Sequence, residues 1–123
     1  MPKVIRFEDL KCWHEAMTIA EEIYRVSSEG ALAKDFGFRD HLRRTAVSIP
    51  SNIAEGKERE TAGEFIRFLY IAKGSTGELR TQLILAHRIG HLDRSGFDPL
   101  HTRIADLSNM IGRLISSVKR EKN

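Results

Sequence analysis

Few side chains in this 123-residue chain combine a reactive type with a useful spacing. His87 and His91 stand four apart, which lets two imidazoles on one helix share a metal ion. No HExxH pattern surrounds them, and they read as surface or interface histidines. Cys12 is the single cysteine, which excludes an intramolecular disulfide framework and a Cys-clustered zinc site. It falls on an apolar helix line and reads as a packed thiol. Ser48 and Ser51 have no glycine-flanked elbow and no evident His–Asp partners, so they read as helix-supporting hydroxyls beside Pro50. Lys73-Gly74-Ser75 reverses the Gly-Lys-Ser/Thr order of a phosphate loop and lies within a helical stretch. Arg80 and His87 share a helix face with six residues between them, but 13 arginines and five histidines make such a pair expected by chance. No metal and no cofactor is expected.

The cations are more informative. The formal net charge is +3, and it is uneven, with an acidic first 29 residues and a basic remainder. Arg39, Arg43 and Arg44 cluster on one predicted helix, while Lys73 and Arg80 share a side of the next. Arginine pairs with phosphate bidentately, so these five are the candidate contacts for RNA or DNA. Asp40, Glu55 and Glu58 lie close in sequence, and no aromatic platform for bases is evident. Pairing of the arginines with acids across an interface is the competing reading.

The elements that must position these groups are helical. Hydrophobic residues make up 41% of the chain and aromatic residues 7%, which suits one core and disfavours a sandwich. Predicted segments cover about 9–28, 38–55, 62–91 and 99–120 of a single domain, 1–123. Leu10, Trp13, Met17, Ala20 and Tyr24 make the stripe of the first, with Gly30 placed for a left-handed stop. The second carries Phe38, Leu42, Ala46, Ile49 and Ile53, with Gly56 as its stop. Pro50 removes one hydrogen bond, yet the stripe keeps phase across it, so a kinked continuous helix is expected. The alternative is one helix ending at Ile49 and another starting at Pro50. Thr61-x-x-Glu64 fits a capping box for the third. Asp98-Pro99 reads as cap and first turn of the fourth, whose seam is Leu100, Ile104, Leu107, Ile111, Leu114 and Val118. The result is an all-α, up-down-up-down four-helix bundle.

One bundle does not use all of this apolar surface. A second line on the first helix holds Cys12, Ala16, Ile19 and Ile23. Another on the second helix holds Val47, Pro50 and Ala54. The third helix adds Ile66 and Ile84 on one flank, and Ile71, Leu85 and Ile89 on the other. Exposed lines of this kind mark a contact surface, so self-association is predicted, with tight packing of a small bundle as the alternative. Gly74-Ser75-Thr76-Gly77 would admit close approach of a neighbouring helix or a local bend. No stretch approaches the roughly 20 apolar residues that span a bilayer, and the charged MPKVIRFEDL start shows no secretory leader. No membrane partner and a cytoplasmic location are expected.

The order of motifs resembles a known family. Arg39-Asp40-His41-Leu42-Arg43-Arg44-Thr45-Ala46-Val47-Ser48-Ile49-Pro50-Ser51-Asn52-Ile53-Ala54-Glu55-Gly56 is similar to the signature of the four-helix-bundle proteins encoded in 23S rRNA intervening sequences. Their superfamily includes the accessory variability protein of diversity-generating retroelements. Phe7-x-x-Leu10-x-x-Trp13, Phe65-x-x-Phe68-Leu69-x-x-Ala72-x-Gly74-Ser75 and Glu78-Leu79-x-Thr81-Gln82-Leu83 extend the likeness over nearly the whole chain. The resemblance implies a closed ring of five bundles without a known catalytic activity, and favours the continuous second helix. Accessory variability proteins use such rings to bind nucleic acid and a reverse transcriptase. A narrower likeness joins Arg80 and His87 to the Arg–His pair of all-α HEPN ribonucleases, although Thr81 stands where those motifs place Asn, Asp or His. A non-enzymatic homopentamer is the leading expectation.

Overall fold

The computed structural model describes residues 6–122. The charged start of the chain falls in part on residues 1–5, outside the described residues. A 3-10 turn, Phe7–Asp9, precedes α1 (Lys11–Val26), α2 (Gly30–Lys34), α3 (Phe36–Glu58), α4 (Ala62–Arg88) and α5 (Arg94–Lys122), with no strand among the described residues. The segment expected as a loop before α3 therefore contains the single turn α2. Gly30 takes the predicted left-handed conformation, at φ 60°, but it opens α2 and does not end α1.

Side chains that accept free amides set the helix starts. Asp35 Oδ1 accepts from the Phe38 amide, and Thr61 Oγ1 accepts from the Glu64 amide at 3.2 Å. Only this half of the expected capping box is seen, because the Glu64 carboxylate turns to Arg67 at 3.0 Å. α5 starts earlier than Asp98-Pro99 predicts. Asp93 Oδ1 accepts from the Gly96 amide at 3.0 Å and from Ser95 Oγ at 2.8 Å, and Pro99 falls inside the helix. As the sixth residue of α5, Pro99 lies past the first turn and forgoes the bond to the Ser95 carbonyl, one residue's loss that the helix absorbs, so it does not mark the boundary here. α4 ends in a Schellman arrangement at Gly90, φ 81°. There the His91 amide bonds the Ala86 carbonyl at 2.8 Å and the Gly90 amide bonds that of His87.

α3 runs unbroken through Pro50. Ser48 Oγ donates to the Thr45 carbonyl at 2.6 Å and Asn52 Nδ2 to the Ser48 carbonyl at 2.8 Å, so side chains brace the turns flanking the missing bond. Gly56 is not the stop. A Cβ there would lie 2.6 Å from Phe68 Cβ, so this glycine lets α3 and α4 pack backbone to backbone. Gly74 and Gly77, by contrast, have open space around them, and no helix of this chain uses them for close approach.

α1 packs on α3 and α5, and α4 packs on the same two. α1 and α4 thus stand diagonally in an up-down-up-down bundle. The core corrects the sequence reading of α1. Cys12, Ala16, Ile19 and Ile23 are buried, Ile19 and Ile23 completely, inside the chain's own core. They are therefore not an oligomer interface; for this line, tight packing of a small bundle is the answer. Met17 and Tyr24, expected inward, are exposed instead. The narrow Cys/Ala/Ile face lets α1 sit close to its neighbours, whereas Tyr24 keeps a hydroxyl that favours an amphipathic position. On α5, Ile115 is buried and Leu114 is only half-buried.

Candidate functional site

Turning α1 in this way leaves its larger side chains outside. Trp13, Met17 and Tyr24 face Val47, Pro50 and Ala54 of α3 across an open groove of about 610 Å³. Glu21 and Ser51 are the polar groups on its walls. Phe7 packs edge-on against Trp13, 5.2 Å between centroids, and closes one end. Met17 is 39% exposed, Tyr24 46% and Val47 40%. Of the sequence-predicted interface residues, then, Val47, Pro50 and Ala54 meet at one groove, opposite residues assigned to the core.

A second apolar surface lies on α4. Ile71, Leu85 and Ile89 are all exposed, Leu85 to 49%. They flank the side from which Glu78 reaches His41 at 3.4 Å and Gln82 donates to Thr45 Oγ1 at 3.0 Å, so the ridge overlooks α3. Ile66 and Ile84 are half-buried on the other flank, toward α5, and do not join either surface.

The five candidate phosphate contacts are not brought together. Arg39 pairs with Asp40 at 3.0 Å, donates to the Ala33 carbonyl and lies over the Phe36 ring. Arg43 donates to Ser27 Oγ at 2.8 Å and Ser28 Oγ at 3.0 Å while stacking on Tyr24, which ties α3 to the end of α1. Arg44 is exposed on the outer side of α3. Lys73 and Arg80 lie across the bundle: Lys73 Nζ donates to Ser108 Oγ of α5 at 3.3 Å, and Arg80 keeps a buried Nε without a partner. An aromatic ring that sequence reasoning missed stands in this second group. Tyr70, 50% exposed, accepts from Lys119 Nζ at 2.7 Å, and the ammonium sits 5.1 Å from the ring centroid. The signal was the one-turn spacing of Tyr70 and Lys73 on α4.

The histidines serve the fold. His87 Nδ1 contacts the Leu92 carbonyl at 2.9 Å, and its ring stacks on Phe97, which stacks on His101. His91 contacts Asp35 at 3.1 Å, so His87 and His91 diverge. Among the described residues no group of three or more His, Cys, Asp or Glu could hold a metal ion. Burial pushes the Cys12 thiol up to about 11, which keeps it protonated and unreactive at neutral pH. The hydrogen bond from Ser95 and then that from the Gly96 amide hold the Asp93 carboxyl below its ordinary range. Among the described residues no helix is long and apolar enough to cross a membrane.

The fold and its exposed surfaces place the chain in the class of all-α helical-bundle proteins. A family model described as 23S rRNA-intervening sequence protein matches residues 8–113, and the chain belongs to that family. A crystal structure from Bacteroides thetaiotaomicron, described as a protein of unknown function from the S23 ribosomal protein family, is similar to it. That similarity has a TM-score of 0.77 at 20% identity, and covers 85% of this chain and 97% of the other. It establishes the fold. No curated protein matched the chain.

Proposed function

We propose that this protein is a non-catalytic subunit of a closed homo-oligomeric ring, of five copies as the family resemblance implies, acting as an assembly or binding scaffold. The observation that carries the reading is the α1/α3 groove, an apolar trough left open by a chain whose core is otherwise closed. Its complement is the α4 ridge of Ile71, Leu85 and Ile89. Groove and ridge differ in residues and lie on neighbouring faces of a square bundle. A ridge-in-groove contact is therefore head-to-tail, and the turn between neighbouring faces curves successive copies into a small ring instead of a straight filament. The HEPN-like alternative gains no support, since His87 is engaged with the Leu92 carbonyl and the Phe97 ring.

Sedimentation velocity at micromolar concentration tests the reading. The wild-type chain is expected to run as a single oligomer, and Val47→Glu or Leu85→Glu to run as folded monomer. A wild-type monomer, or oligomers indifferent to both charges, would overturn it.

A further inference from the structure

The face between α4 and α5 carries a row of cations from which carboxylates are missing. Lys73, Arg80 and Arg88 follow one another along this side of α4, and Lys119 of α5 joins them beside Tyr70. None of the four has a carboxylate within ion-pair distance among the described residues, although ten ion pairs form elsewhere on the molecule. The acids of these two helices are directed away. Glu64 pairs with Arg67, Glu78 reaches His41 of α3, and Asp98 lies 3.9 Å from Arg94 at the helix start. Asp106 and Glu121 are each two residues from Ser108 and Lys119, hence about 160° around α5 from them at 100° per residue. Between Lys73 and Arg80 the floor is small and polar, since Gly77 is open and Ser108 Oγ meets Lys73. From Arg80 to Arg88 it continues over half-buried Ile84, one turn from each. From Tyr70 to Arg88 the row runs about 27 Å along α4.

We infer that this α4/α5 face binds the phosphodiester backbone of single-stranded nucleic acid, with Lys73, Arg80, Arg88 and Lys119 on the phosphates and the exposed Tyr70 ring as a stacking platform for a base. A track of unpaired cations accompanied by an exposed aromatic ring is how single strands are held without sequence readout. An acidic peptide would use the cations but not the ring. The small floor between Lys73 and Arg80 lets a backbone approach both helices there, and the buried, partnerless Arg80 Nε fixes that side chain's stem while its terminal amines remain for an anion. The surface is complete on one chain and lies away from the groove and ridge, so it does not depend on the ring. Ring formation would add copies of it.

The test is fluorescence anisotropy with labelled oligo(U) and oligo(dT) of about 20 nucleotides, titrated with the full chain. Four phosphate contacts predict a salt slope near −2.8, so affinity should fall about fifty-fold between about 50 and 200 mM salt. Gly77→Glu places a carboxylate four residues after Lys73 and three before Arg80, where helix side chains meet, in space that is open. It should weaken binding about tenfold or more, as should Lys73→Glu. Arg44→Ala removes a positive charge from α3 and should leave affinity within about twofold. A stronger signal for one sugar would identify RNA or DNA as the preferred strand. Absence of binding at low salt, equal losses in Arg44→Ala and Lys73→Glu, or equal affinity for a polyglutamate of matching charge would each overturn the assignment. Sedimentation of the same samples separates this outcome from a failure of assembly.

Discussion

Replacing Gly56 with alanine should destabilise the fold, although alanine is the better helix former. Gly56 lies in α3, where a Cβ would stand 2.6 Å from Phe68 Cβ and 3.3 Å from the Phe65 ring. Ordinary contact needs about 3.4 Å, so α3 and α4 must part by roughly 0.8 Å at this crossing. Phe68 Cβ is fixed by its backbone and has no rotamer that moves it aside, so the strain falls on two helices. Overpacking of this kind costs about 3 kcal/mol at the upper end of its usual range. Against it stands a gain of about 1 kcal/mol from replacing glycine in a helix. The net is about 2 kcal/mol of destabilisation, or roughly 6–12 °C in Tm for a domain of this size. Gly77→Ala supplies the opposite sign: its Cβ meets nothing within 4 Å, so only the propensity gain remains, about 1 kcal/mol and roughly 3–6 °C upward. Thermal melts followed by far-UV circular dichroism, at one protein concentration because assembly couples to Tm, read both. A Gly56→Ala melt at or above wild type would refute the close crossing of α3 and α4.

Two titrating groups make further predictions. The buried Cys12 thiol, at about 11 against an ordinary 9.0, binds its proton more tightly in the folded chain. Its contribution is complete below pH 9 and lost as pH rises from about 9 to about 11, on the order of 2–3 kcal/mol. Cys12→Ala should flatten that part of the stability curve, and the native thiol should react with an aromatic disulfide at pH 8 only when urea unfolds the chain. Asp93 shows the reverse: its lowered carboxyl stabilises the fold above the ordinary aspartate range, and that contribution is lost as pH falls through it. Asp93→Asn keeps a cap for α5 but should remove this acid-side slope in urea titrations between about pH 2 and 5.

How far the sequence could be read depended on whether a signal was local. The third predicted helix, about 62–91, appears as Ala62–Arg88, because Thr61 and Gly90 act on amides and carbonyls within a few residues of themselves. The fourth was placed five residues late because Asp98-Pro99 is as good a cap signal as Asp93, and only the observed bonds of Asp93 distinguish them. Val47 and Ala54 were legible as surplus apolar positions at the surface, while Pro50, grouped with them, lines the groove but is itself buried. The four α1 residues grouped with them, Cys12, Ala16, Ile19 and Ile23, were not separable from the Trp13 line by periodicity.

The amino-acid order by itself determined four long amphipathic helices, the Thr61 cap of α4, the continuity of the α3 stripe through Pro50, and an apolar surplus. Tertiary packing alone decided which face of α1 is inside, that Gly56 is a crossing point, and that Arg43 is tied to α1 while Lys73 and Arg80 stand with Tyr70 and Lys119 across the bundle. The reason is geometric. A period of 3.6 residues gives each side chain its angle about its own helix axis, and that angle has no meaning for neighbours until the other three helices have taken their places.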